Sequence, residues 1–460
     1  MTAVTLLRWV LLAFDQTDLF VDEAQYWLWG QNFAFGYFSK PPLIAWLIGA
    51  VTSAAGSDST FWVRMPGAAL HGATALILAS VADRLFGAKV AVLVACAYVT
   101  LPMVAVGSLL ISTDTVMAPF FAAALLWHLR LVQTGSARYA LLAGGTAGLA
   151  FLAKYAALYF LIAVAVAAIL RSDMRVSWGN AGLLLAAFTV VISPNVAWNL
   201  SHQLATVFHT AGNVGWVRLD NPLAELNLAG LLEFVVSQFV VFGPVLFGIL
   251  LMAMLRNLGD KRLMAFIWPI LLLVSLQCLL GGANANWGVA AYFAGTVVAI
   301  ALLQHRHGLL RLSLLINGAV CVILPVLTLL PDLAVGDELL LKRYLGRAAL
   351  SQQILAHASE TRAVAIVANQ RDVLADLFYT GRDSAIPVYA MRPNCRPANH
   401  YEQTYPAPLA LSGPIILVNS TAPVCETPVV SLSLPLSGGA YDGTDLGAYL
   451  INARCLDAAG

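Results

Sequence analysis

Charged residues are scarce in this chain. They fill 11% of its 460 positions, against 60% hydrophobic, whereas an ordinary soluble protein carries roughly a quarter charged residues. That scarcity excludes a typical cytosolic enzyme and a disordered chain. Excess charge of either sign is also missing: 25 basic side chains face 24 acidic ones, so no global field recruits nucleic acid. No glycine-rich phosphate cradle opens a soluble helix, which argues against a nucleotide as donor or cofactor. The histidines show no His-x-x-x-His spacing. The first apolar run, Ala3 to Phe14, lacks the basic leader and small-residue cleavage site of a secretory signal. It is read as a first spanning helix with its start truncated or misassigned.

Long apolar runs are what the chain has. They lie near 62–82, 90–110, 114–130, 139–153, 155–170, 178–197, 228–254, 263–281, 288–304 and 309–330, close to the roughly 20 residues that cross a bilayer. A further run, 41–56, decides the topology. Placed on or dipping into the outer face, it leaves Arg84, Lys89, Arg130, Arg138, Arg171, Arg175, Arg256, Lys261, Arg262, Arg306 and Arg311 on one side. The opposite side, before the tail, keeps Lys40, Arg64, Lys154 and Arg218. This bias is the one the positive-inside rule predicts. It gives about 11 spans, the N-terminus inside and the tail outside. Trp27, Trp62, Trp198, Trp216 and Trp287 then fall near the outer interface, and Trp127, Trp178 and Trp268 near the inner one. Charge divides the chain in two: Met1–Pro331 reads as a membrane domain and Asp332–Gly460 as a tail of soluble composition.

The outer loops gather the ionisable groups. In VDEAQYWLWGQNFAFGYFSKPP, residues 21–42, Asp22 and Glu23 open an amphipathic helix bearing Tyr26, Trp27 and Trp29. Two readings stand together: Asp22 caps that helix while Glu23 favours its dipole, or the pair serves a site beside Tyr37 and Lys40. Two prolines follow Lys40 and fix its backbone, so a lysine and an acid pair in one aromatic-rich loop suit an anionic lipid head group and a base. Asp114 lies at the outer end of a span, either as a cap with Ser112 and Thr113 or as a site acid. Lys154 interrupts two apolar runs, snorkelling or functional. The loop 198–227 carries His202, His209 and Arg218, and GGANANWG, 281–288, carries Asn286 and Trp287.

These segments resemble a known family. VDEAQYWLWG, GYFSKPPLIAWLI, VRMPGAAL, FLAKY, SPNVAWNLSH and NANWGVAAYF, in order from about residue 21 to 300, are similar to bacterial integral-membrane glycosyltransferases of the protein O-mannosyltransferase superfamily, which includes the lipid A aminoarabinose transferase. The resemblance implies a GT-C fold: an α-helical polytopic membrane protein with outer-face juxtamembrane helices and a small C-terminal α/β domain. It implies transfer of a sugar from a polyprenyl-phosphate carrier to a lipid, glycan or protein acceptor at the outer face of the cytoplasmic membrane, with inversion. By position Asp22 would be the general base, supported by Glu23, with Asp114 as a second-loop acid. Lys40, Lys154 and Arg218 would bind the donor phosphate, and Tyr26, Tyr37, His202, Asn286 and Trp287 would contact substrate. Relatives use a divalent metal or dispense with one, so the metal stays open and no other cofactor is implied. Ser39-Lys40-Pro41-Pro42 departs from the Glu-Lys-Pro-Pro or Asp-His-Pro-Pro of relatives.

In the tail, 362–369 and the segments SAIPVYA and PIILVNS read as strands and Arg371 to Thr380 as a helix. In an oxidising periplasm Cys395 and Cys425 could pair, leaving Cys455 free. Two other functions compete. A transporter places ionisable groups near the midplane and repeats itself internally; here the charges sit at span ends and no repeat is evident. A polysaccharide polymerase or ligase needs an arginine-rich outer loop, and these loops are poor in arginine.

Overall fold

The computed structural model describes residues 1–214 and 226–457. Among them six helices are long and apolar enough to cross a membrane: Thr60–Phe86, Thr113–Thr134, Trp178–Ser201, Lys261–Leu280, Ala285–Leu303 and His307–Thr328. A further apolar pair, Ala88–Thr100 and Pro102–Leu109, is bent by 56° and forms either a broken span or a re-entrant loop; Pro102 starts the second helix and denies the first a continuation. Shorter apolar helices occupy most of the remaining runs, among them Thr2–Ala13, Leu43–Ala55, Ala137–Ala153 and Tyr155–Leu170. The run 228–254 is two helices, Leu228–Val241 and Pro244–Leu255. Gly243 at φ +90° and the proline after it break the run.

The described chain divides into two compact units. The first holds Met1–Ala13, Ala34–Leu47 and Arg64–Val326; the second holds Phe14–Phe33, Ile48–Val63 and Leu327–Gly460.

Val289–Leu303 runs through the core of the first unit, with 13 of its 15 residues buried. Trp178–Ser201 is its opposite. It buries only Asn180, Leu184, Phe188, Asn195 and Asn199, a stripe at spacings of four and seven residues, and exposes Leu185, Val190 and Leu200 as an apolar face suited to lipid. Small residues let that stripe approach its neighbour. A Cβ on Gly144 would stand 2.1 Å from the Leu184 carbonyl oxygen, and one on Gly148 would stand 2.7 Å from the Val191 Cβ, so the Gly144-xxx-Gly148 face of Ala137–Ala153 fits nothing larger.

The second unit is built on five strands, β1 Ala365–Ala368, β2 Val388–Ala390, β3 Pro414–Asn419, β4 Val430–Leu432 and β5 Gly447–Asn452. Their order is β2-β1-β3-β5-β4. The pairs of β1 with β2 and β3 are parallel, and the pairs of β5 with β3 and β4 are antiparallel. β1 is buried along its whole length, as a central parallel strand covered on both faces should be. The helix Arg347–Glu360 starts at Gly346, which offers no side-chain cap. Asp18 takes that role from 329 residues away, its carboxylate accepting the Arg347 N–H at 2.8 Å and the Ala348 N–H at 3.3 Å.

The disulfide differs from the expected Cys395–Cys425 pair. Cys425 bonds to Cys455 with their Cα atoms 5.6 Å apart, and Cys395 is an exposed free thiol. The cause is β5: Cys455 lies three residues beyond its end and is buried with Ile415, Leu417 and Ile451, and Cys425 packs against that cluster.

Candidate functional site

In the first unit the sequence-predicted residues Asp114, Lys154 and Asn286 meet. Ser112 caps the helix Thr113–Thr134 by accepting the Thr115 N–H, which leaves the Asp114 carboxylate for another purpose. The helix Ala137–Ala153 ends because Lys154 is extended (φ −155°, ψ 130°). Its Nζ donates to both Asp114 oxygens at 2.7 Å, and Asn286 Nδ2 donates to Oδ2 at 2.7 Å. The side chains of Lys154 and Asp114 are 16% and 14% exposed, so the pair is partly withdrawn from solvent and strongly coupled. Asp114 is not the cap, and Lys154 is paired with it.

A polar chain leads on from Lys154. The Tyr155 hydroxyl donates to Asn195 Oδ1 at 3.0 Å, and Asn195 Nδ2 donates to the Phe35 carbonyl at 2.7 Å. Phe35 belongs to the segment that carries Tyr37 and Lys40. There the Tyr37 N–H donates to the Lys40 carbonyl at 3.2 Å, and Thr206 donates its hydroxyl to the Tyr37 carbonyl at 2.7 Å. Burial pushes the Tyr37 phenol up to about 12. Gly36 is wedged under Trp198, where a Cβ would stand 2.4 Å from the indole.

The other predicted contacts lie elsewhere in this unit. His202 ends the helix Trp178–Ser201, stacked on Trp198 at 4.1 Å, with Nδ1 2.8 Å from the Trp198 carbonyl. Trp287 packs against the cluster of Phe234, Val274 and Cys278. Arg218 and Trp216 lie outside the described residues.

Asp22, Glu23 and Tyr26 belong to the second unit, on the helix Val21–Gly30. Glu23 is buried and accepts the Phe20 N–H at 3.0 Å, which closes the first turn. Asp22 caps nothing. Its Oδ1 accepts a charge-assisted bond from Arg371 Nη2 at 2.5 Å, and Arg371 Nε donates to Gln25 Oε1 at 2.9 Å. Burial works against the Arg371 charge, but Asp22 outweighs it and holds the guanidinium above its ordinary pKa. Further along the helix, the Trp27 indole donates to Asp58 at 2.8 Å and meets Tyr379 edge-on at 5.0 Å. Trp29 meets His400 edge-on at 5.5 Å. Burial, with the Arg371 charge, depresses His400 to about 3.

Among the described residues no three His, Cys, Asp or Glu side chains are grouped to hold a metal ion. Arg371 and Gln25 were not among the residues singled out from the sequence. A signal existed for Arg371, since it occupies the first turn of the helix Arg371–Thr380, where a cation opposes the helix dipole unless an anion faces it.

Residues 39–198 match the family profile described as dolichyl-phosphate-mannose-protein mannosyltransferase. Over 463 aligned residues, 98% of this chain and 97% of the relative, the sequence is 41% identical to the lipid A galacturonosyltransferase RgtD of Rhizobium johnstonii. The chain belongs to this family of membrane glycosyltransferases. Among solved structures it is similar to ArnT from Cupriavidus metallidurans in the apo state (TM-score 0.66, 15% identity, 100% of this chain and 98% of that one). It is similar also to the same protein bound to undecaprenyl phosphate (TM-score 0.65, 15% identity, the same coverage). That likeness is one of fold, and the fold is the GT-C type expected. This multi-pass membrane protein is therefore a glycosyltransferase and not a transporter.

Proposed function

We propose that the protein transfers a uronosyl group, galacturonosyl by analogy with its relative, from a polyprenyl-phosphate carrier to lipid A. The reaction takes place at the outer face of the inner membrane, with the sheet-bearing tail in the periplasm. The observation that carries this reading is the 41% identity over nearly the whole chain to a protein named as a lipid A galacturonosyltransferase. Undecaprenyl phosphate in the ArnT structure and the sidedness of the basic loop residues add support.

In the proposed step a lipid A hydroxyl attacks the anomeric carbon while the bond from that carbon to the phosphate oxygen breaks. The electron pair stays on the carrier phosphate and the hydroxyl proton passes to Asp22. Single displacement inverts the anomeric centre. Glu23 fixes the turn that presents Asp22. Lys40, Lys154 and Arg218 bind the phosphate, and lysine ammonium groups stabilise the charge that grows on it. Asp114 and Asn286 hold the Lys154 ammonium in place for that task. The polyprenyl phosphate leaves as product.

The test is transfer in nanodiscs from polyprenyl-phosphate galacturonate to lipid A, followed by mass spectrometry. Wild type should add one uronosyl mass, and Asp22→Asn should turn over about 1,000-fold more slowly. Equal turnover by that variant would remove Asp22 as the base, and no product from wild type would remove the reading itself.

A further inference from the structure

Arg371 is the strongest feature the family assignment leaves unused. Three observations make it more than a structural ion pair. First, its bond to Asp22 is a single one between partly exposed groups, 41% for the arginine side chain and 42% for the aspartate. Such a pair contributes little net free energy and exchanges readily with solvent or another anion. Second, the guanidinium is only partly used. Nε is anchored by Gln25 and one Nη by Asp22, whereas the other Nη has no hydrogen-bond partner among the described residues. The fork is held in orientation with donors to spare, which suits it to a planar carboxylate taken in bidentate fashion. Third, Arg371 stands with Asp372 in the first turn of a helix, where the positive end of the dipole adds to the guanidinium's attraction for an incoming anion. An anion that displaces Asp22 is therefore favoured there over a neutral group.

We propose that Arg371 selects the sugar by exchanging carboxylates, releasing Asp22 and binding the carboxylate of a uronosyl donor in its place. The inference rests on the uronosyl reading above and extends it from the sugar's identity to the residue that recognises it. While Arg371 holds Asp22, one oxygen of the base is occupied. A uronosyl group supplies the replacement anion and frees Asp22 to accept a proton. A neutral hexosyl group, with CH2OH where the uronate has its carboxylate, supplies none and leaves the base engaged. Selectivity is thus exerted twice, in binding and in freeing the base. No covalent bond changes in the exchange; the site gains the one negative charge that the uronate brings, and Asp22 keeps its own.

Carrier binding and turnover, measured separately in nanodiscs, test the exchange. The probes are polyprenyl-phosphate galacturonate and its neutral counterpart, polyprenyl-phosphate galactose. Wild type should bind the uronosyl carrier about 100-fold more tightly than the neutral one. In Arg371→Gln that ratio should fall to near one. Arg371→Lys, which keeps the charge but not the fork, should retain a ratio of about ten and guards against a folding defect in the first variant. Asp22→Asn gives the sharpest signature, since with the competing carboxylate gone it should bind the uronosyl carrier about three- to fivefold more tightly than wild type while barely turning over.

Equal binding of the two carriers by wild type, a preference that survives Arg371→Gln, or weaker uronosyl binding in Asp22→Asn would each overturn the proposal. A wild type that binds with the expected preference yet transfers neither sugar would count against the proposed function and for the role of Arg371, so the two failures are distinguishable.

Discussion

Asp22 and Asp114 are the same side chain, each in the first turn of a helix and each bound to a cation, yet they are held in different ways. Asp114 takes both of its oxygens to one ammonium and adds an amide donor, in surroundings that leave the pair about one-seventh exposed. Asp22 meets its guanidinium through one oxygen, with both partners about two-fifths exposed. A carboxylate fixed twice over and screened little by solvent acts as a support for its lysine. A carboxylate held once and partly open to solvent is free to let go, as the proposed base must.

The contrast can be broken most directly at the sheltered pair. Lys154→Met leaves the Asp114 charge without its cation and should cost about 3 kcal/mol of stability, measured by thermal melting in detergent. Adding Asp114→Asn should recover most of that loss, since no unpaired charge then remains, while donor binding stays weak. A single variant that melts like wild type would mean the sheltered pair is no firmer than the exposed one.

Acid should act on the surroundings of Asp22 through His400. Its pKa in the fold lies near 3, below the unfolded value of about 6.5. The stability it contributes is therefore present above about pH 6.5 and lost as pH falls through that value toward 3. Asp376 works the other way. Burial lifts it to about 7 against the pull of Arg347, so its contribution is lost as pH rises from about 4 to 7. Comparing His400→Gln with wild type cancels Asp376. The variant should gain about 2 kcal/mol relative to wild type between pH 7.5 and pH 5, read from denaturation at both pH values, and a constant difference would show that His400 does not titrate as described. The smallest effect belongs to the exposed pair. Arg371→Gln should change melting stability by less than about 1 kcal/mol, and a larger loss would place Arg371 among structural groups.

Much of this arrangement was legible before any coordinates. The apolar runs gave helices, and Asp22, Asp114, Lys154 and Asn286 stood out as polar groups at span ends. Their partners did not, because pairing over 172 residues for Asn286 or 349 for Arg371 is set by packing and leaves no local pattern. Arg371 had a local signal in its place at a helix start, but the carboxylate bonded to it lies near the other end of the chain. The break at Gly243 was written in the Gly-Pro dipeptide, yet an apolar run of one period hides it. The disulfide turned on β5, whose short YLI core sits among glycine and aspartate residues that read as loop.

The second unit draws on three separate stretches, and about 260 residues separate Val63 from Leu327 within it. At a synthesis rate of roughly 5–20 residues per second, the helix bearing Asp22 waits on the order of ten seconds to a minute before Arg371 is made. Trp27, Trp29 and Asp18 wait with it for Tyr379, His400 and the helix that Asp18 caps. A ribosome that stops short of the last quarter of the gene therefore leaves a membrane protein whose proposed base has no partner and whose aromatic helix has no bed. Completion of the chain becomes the event that assembles the enzyme.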